Sequence, residues 1–196
     1  MSKYRALIDA NVWYSAVLRD SFIEFAYWDF YKPLWSNEIF NETKRNLETA
    51  NADYAETFSR HSSYIIELFP DGLVVDYSGQ LGSLTDVHIK DEHVLASAVI
   101  GNADAIVTFN TKDFPSNAFE KYGLDVVHPD DFLLDQFFLN PQNSLTAIAR
   151  LLTDYSNPAL TVQEYASRIT AASCPKFAML LLENESVISQ VKLNLG

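Results

Sequence analysis

Cysteine is almost missing from this chain of 196 residues. Cys174 stands alone, so no internal disulfide can form, and a cysteine-based zinc site is excluded. Glycine is scarce, with 6 residues. None of them builds a Gly-x-x-x-x-Gly-Lys-Ser/Thr phosphate loop, a dinucleotide fingerprint after a strand, or a Gly-x-Ser-x-Gly elbow. Positive charge is short as well: 14 Lys and Arg face 26 Asp and Glu, for a net charge of −12. That balance argues against a general polyanion binder, because nucleic-acid affinity is largely phosphate neutralisation. Long apolar runs are absent too. The longest, Phe177 to Leu182, stops at Glu183, far short of the roughly 18 to 20 residues that span a bilayer. The amino terminus lacks the basic, apolar and small-residue sections of a secretion signal, so a cytoplasmic location without membrane association is expected.

What is present is a core. Hydrophobic residues make up 48% of the chain, which excludes disorder. Residues 141–196 hold four acidic and four basic side chains, so the whole negative excess falls before them. Two segments of different character follow, 1–140 and 141–196.

Residues 4–8 read as a buried strand and Asn11 to about Leu18 as a short helix. Residues 21–31 form a second helix with an aromatic inner face, ended by Pro33. Ser36 is a plausible N-cap for a helix to about residue 49, and another helix covers about 52–68. Strands are expected at 73–75, 103–109 and 124–127, with a helix at 90–100 stopped by Gly101-Asn102. This alternation predicts a three-layer α/β/α domain with a mostly parallel sheet. Beyond Asn140-Pro141, helices over about 143–154, 161–172 and 175–184 predict a small all-α extension. Asn157-Pro158 and Cys174-Pro175 punctuate it, and Thr161 with Glu164 has the pattern of a capping box.

The chemistry sits in carboxylates. Asp9 directly follows the first strand, at the carboxyl end where open α/β sheets carry their sites. Glu42 lies on a helix, Asp91 at a helix start and Asp113 just past another buried strand. Several carboxylates without a Cys or His cluster suit a hard divalent cation, Mg²⁺ or Mn²⁺. His61, His88, His93 and His128 are too widely spaced for the usual zinc ligand pairs and read as core or surface residues. Each acid also has an ordinary reading: Asp9 as a helix cap, Glu42 as a partner of Arg45 with Glu38 an equal competitor, Asp91 as a helix-dipole residue, and Asp113 as a turn residue.

Four stretches in register resemble the PIN-domain ribonucleases: Leu7-Ile8-Asp9-Ala10-Asn11-Val12, Ser36 to Glu42, Lys90 to Ala98, and Ala103 to Pro115. Order and spacing match over about residues 4–132, and the tail from Asn157 through Thr161 and its helix resembles the extension of a VapC-type toxin subgroup. The resemblance implies a four- or five-stranded parallel sheet, a divalent-metal site and endonucleolytic RNA cleavage. Carried over by position, the acids are Asp9, Glu42 and Asp91. At the fourth place the chain reads Thr108-Phe109-Asn110, so either Asn110 is a neutral ligand or Asp113 supplies the carboxylate. The favoured reading takes Asp113 as the charge and Asn110 as a positioning group, with Asn11 orienting Asp9 and Thr108 bonding either a carboxylate or a scissile-phosphate oxygen. Lys44, Arg45, Lys112 and Lys121 are the cations expected to flank the site. A toxin of this kind implies an RNA substrate and a cognate antitoxin, and self-association as a homodimer is a further expectation. The rival reading is a non-catalytic interaction module on the same fold.

Overall fold

The computed structural model describes residues 3–82, 84, 87–114, 117–156 and 158–195. Ser83, Pro115 and Asn157, landmarks of the sequence reading, lie outside the described residues. In chain order the elements are β1 (Arg5–Ile8), α1 (Ala10–Tyr14), α2 (Ala16–Tyr27), β2 (Lys32–Ser36), α3 (Asn37–Ala50), α4 (Ala52–Leu68) and β3 (Leu73–Val74). They continue with α5 (Glu92–Ile100), β4 (Ala105–Val107), α6 (Ala118–Tyr122), β5 (Asp125–Val127), α7 (Pro129–Leu139), α8 (Pro141–Asp154), α9 (Val162–Ala171), α10 (Pro175–Glu183) and α11 (Glu185–Leu195). Two compact units emerge: Met1–Tyr14 with Tyr31–His128, and Ser15–Phe30 with Pro129–Gly196. No helix among the described residues is long and apolar enough to cross a membrane.

The first unit is built on a parallel sheet of order β3-β2-β1-β4-β5. β1 and β4 are its centre, and Ala6, Leu7, Ile8, Ala105, Ile106 and Val107 are fully buried. Strands covered on both faces read as continuous apolar runs, which is how both announce themselves in sequence. β2 does not, because Pro33 sits inside it; the sequence reading has only an apolar pair there, with Pro33 as a helix stop. The register explains the tolerance. The Lys32 N–H donates to Tyr4 O at 2.8 Å, so alternation turns the Pro33 nitrogen away from β1. On that far side β3 pairs only Trp35 and Ser36, so no ladder bond is lost. An aromatic cluster underlies α3 and α4: Trp35 stacks on Phe40 at 5.4 Å, while Trp13 and Phe58 meet Phe40 edge-on at 5.5 and 5.6 Å. Gly72 is required here, because a Cβ on it would lie 2.2 Å from the Trp35 ring.

The second unit is all helical. α2 packs on α8 and α9, and α7 on α10. The helix predicted over 21–31 is therefore Ala16–Tyr27, and its end is not Pro33. Asp29 adopts φ 69 there, with Phe30 N–H bonded to Phe25 O and Asp29 N–H to Ala26 O, a Schellman closure. The hydrophobic contact that accompanies this closure is the Phe25–Phe30 ring pair at 5.2 Å. Asn102 and Ser173 close α5 and α9 in the same way. Gly101, read as part of the α5 stop, keeps right-handed geometry and serves close packing instead, since a Cβ there would meet Ser97 O and Val74 Cγ2 at 2.8 Å. The capping box of Thr161 and Glu164 is present on α9. α7, α11 and the short α6 are additions to the predicted elements. Asp130, buried at the start of α7, accepts the N–H groups of Lys176 and Phe177 at 3.0 and 2.8 Å, and so caps α10 from outside.

Candidate active site

The site lies within the first unit, at the carboxyl ends of its strands. From β1 the chain crosses to β2 and β3 on one side, then returns to β4 and β5 on the other, so the order reverses between β1 and β4. A crevice opens at such a reversal. Asp9 follows β1 there and its N–H bonds Val107 O at 3.0 Å; Thr108 follows β4 and bonds Val127 O at 3.0 Å.

Asp9 is 8% exposed and heavily hydrogen-bonded. Oδ1 accepts the Ala10 N–H at 2.7 Å. Oδ2 accepts from Asn11 Nδ2 at 2.6 Å and Thr108 Oγ1 at 2.7 Å. Asn11 also donates to Thr108 Oγ1 at 2.9 Å and accepts the Phe109 N–H at 3.2 Å, while the Asn110 N–H donates to Thr108 Oγ1 at 3.0 Å. The carboxylate thus takes the first helical N–H of α1 and two side-chain donors, rather than capping deeper into the helix. Burial pushes its pKa up to about 6; the Thr108 and Ala10 hydrogen bonds oppose that rise, Glu42 adds to it and His93 offsets part of it.

Beside this knot an open cleft of about 660 Å³ carries Glu38, Glu42, Asp91 and Asp113 on its walls, with Asn110, His88 and His93 among them. Asp91 occupies the N-cap position of α5, yet its side chain makes no capping hydrogen bond. Burial raises its pKa, with Asp113 and Glu42 adding repulsion and His88 and His93 opposing it. Asn110 and Asp113 both line the cleft, so both candidates for the fourth position are at hand.

The competitors on α3 separate. Arg45 pairs with Glu38 at 2.8 Å, not with Glu42. Glu42 faces His93 instead, with Oε2 3.3 Å from Nε2. Burial works against a charged His93, yet the nearby Glu42 carboxylate outweighs it and holds the imidazole above its usual range. Sequence reasoning treated His93 as a core or surface residue, and no spacing signal marks it. Of the cations expected around the site, Arg45 lines the cleft, joined by Lys90, which was not anticipated. Tyr31 is 1% exposed, so its ring is closed to any base.

The structure therefore forms two groups, a buried Asp9-Asn11-Thr108 knot and a cleft bearing Glu42, Asp91, Asn110 and Asp113, linked through the fields of Glu42 and His93 at Asp9. Among the described residues no three His, Cys, Asp or Glu side chains stand close enough together to hold a metal ion as they lie. By chemistry the donors still fit one: carboxylate and amide oxygens without thiolate suit a hard cation, and a cation's charge offsets the burial that chiefly raises Asp9 and Asp91 and the repulsion that adds to it.

Comparison with known proteins agrees with this architecture. Residues 5–112 match the family model described as PIN domain, and residues 129–183 match the model described as VapC50 C-terminal domain. A protein named "Putative ribonuclease VapC50", from Mycobacterium tuberculosis (strain ATCC 25618 / H37Rv), is 36% identical over 112 residues. That alignment covers 56% of this chain and 66% of that protein, just under two thirds of its length. No solved structure matches the chain. With more than half of its residues on the one model and the carboxyl-terminal helices on the other, the chain belongs to the PIN domain family, in a form that carries a VapC50-type C-terminal domain.

Proposed function

We propose that this protein is a divalent-metal-dependent endoribonuclease, acting in the cytoplasm as the toxin of a toxin–antitoxin pair and cutting a specific structured RNA. The observation that carries the reading is Asp9: a buried carboxylate at the reversal point of the sheet, fixed by three donors beside an acidic cleft. The printed name of the relative supports the same chemistry.

In this reading Asp9, Glu42, Asp91 and Asp113 hold Mg²⁺ or Mn²⁺. The chemistry such an ion supplies is activation of water near neutral pH and a counter-charge for the phosphoryl transition state. Asn11 and Thr108 keep the Asp9 oxygens aimed and ionisable, since each donates a hydrogen bond that favours the charged form. Asn110 is a neutral positioning group on the cleft wall. Lys90 and Arg45 supply positive charge where phosphates pass. Hydrolysis leaves a 5′-phosphate and a 3′-hydroxyl. The acidic cleft also suits a basic segment of an antitoxin.

The test is RNA cleavage by Asp9→Asn and Asp91→Asn with Mg²⁺ or Mn²⁺, after folding is verified, with the product ends mapped. Wild-type rates from both variants would remove the mechanism. The spacing of the carboxylates favours one rival, a non-catalytic module on the same fold. A metal titration with no binding would decide for it.

A further inference from the structure

We propose that His93 is a positioning residue for Glu42, holding its carboxylate in the cleft through the close approach of imidazole Nε2; this rests on the nuclease reading above. The local geometry of α5 carries the inference. Successive helical residues point about 100° apart, so Asp91, Glu92 and His93 diverge. Asp91 lines the cleft. Glu92 turns inward, 8% exposed, and accepts the N–H groups of Gly82 and, at 3.3 Å, Leu84. It is thereby committed to holding Gly82 and Leu84. His93 takes the third direction, its side chain 15% exposed, and places Nε2 3.3 Å from Glu42 Oε2.

Glu42 needs such a partner. It is 37% exposed, on a surface helix, and Arg45 on the same helix is engaged with Glu38. A long carboxylate without a tether samples several rotamers, whereas one held by a half-buried ring anchored on a different element does not.

The experiment compares wild type, His93→Phe, His93→Gln and His93→Asn, alone and with Glu42→Gln. Gln can present its amide where Nε2 lies, Asn is too short, and Phe keeps the ring without a donor. Mn²⁺ affinity is read by electron paramagnetic resonance without RNA, and kcat and KM by cleavage. The histidine nitrogen spectrum of the metal-free protein is the third readout. His93→Phe and His93→Asn are expected to weaken Mn²⁺ binding and kcat about 10- to 100-fold, with KM for RNA little changed, while His93→Gln stays close to wild type. In the Glu42→Gln background the His93 substitutions should add nothing. Glu42→Gln alone should shift the His93 Nε2 signal.

Should His93→Phe fail to fold, the Gln and Asn pair decides, because both are polar and only one reaches. Equal behaviour of that pair, a full additional loss in the Glu42→Gln background, or an unmoved Nε2 signal would overturn the proposal. Failure of the nuclease reading looks different: wild type then neither binds Mn²⁺ nor cuts RNA, and the nitrogen spectrum alone judges the His93–Glu42 pairing.

Discussion

Asp9→Asn should change how stability depends on pH in a direction the structure fixes. The Asp9 carboxyl is raised from 3.8 to about 6, chiefly by burial, which corresponds to about 3 kcal/mol between its two protonation states. Well below pH 3.8 the group is neutral in the folded and unfolded chain alike, and it contributes nothing to the pH dependence. Between 3.8 and about 6 the unfolded chain releases the proton while the folded one keeps it, so stability falls as pH rises. Above about 6 both are ionised and the penalty is complete. The Asn variant has no such titration. It also sets an amide among three donors, from Ala10, Asn11 and Thr108, so it loses at least one hydrogen bond. That loss is independent of pH and moves the whole curve without bending it. Urea unfolding in EDTA at steps from pH 4 to 8 should therefore show the variant gaining about 2.5 kcal/mol relative to wild type up to pH 7, then running parallel. A difference constant to within about 0.5 kcal/mol across that range would refute the argument that burial of charge dominates at Asp9.

Metal binding should oppose the same proton: calorimetry at pH 5.5 in two buffers of different ionisation heat should show proton release, with affinity falling below about pH 6 as Asp9 protonates, and EDTA should abolish cleavage. Gly72→Ala places a Cβ 2.2 Å from Trp35 and 2.7 Å from Pro33 O, so thermal denaturation should report a loss of about 1–3 kcal/mol or more. Asp130→Ala strips the external cap from α10 and should cost about 1–2 kcal/mol in urea unfolding, with faster hydrogen exchange at Lys176 and Phe177.

The parts of the fold legible in sequence are those where one physical demand dominates. β1 and β4 are buried on both faces and so are written as apolar runs. The Thr161–Glu164 box is local and satisfies itself. Illegible parts depend on partners distant in the chain. Pro33 is acceptable in β2 only because β3 begins too late to need its missing N–H, and nothing near Pro33 announces that. One helix end was hidden by the shortage of glycine: Asp29, not a glycine, takes the left-handed turn that closes α2, whereas the ends at Asn102 and Ser173, closed in the same way, were announced by Gly101-Asn102 and Cys174-Pro175. α7 begins with Pro129, and the Asp130 of its first turn serves residues 46 and 47 positions further on, at the start of α10.

The site divides along the same line. Asp9 and Thr108 were findable because a polar residue at the end of a central strand has few structural reasons to be there. Glu38 and Glu42 share a helix face, and only the folded chain tells them apart, through Arg45 on one and His93 on the other.

Net charge misleads in a related way. Charges beyond about 8 Å are largely screened at physiological salt, so the total of −12 matters less to a bound phosphate than the groups on the cleft walls. Those groups are themselves mostly acidic, with Arg45 already engaged and Lys90 exposed at the edge. Such a cleft repels RNA until its carboxylates share a cation. In the nuclease reading, then, metal and RNA bind with positive coupling, and each must tighten the other by the same factor. The acidity that argues against a general nucleic-acid binder is in this view what makes RNA binding conditional on the ion.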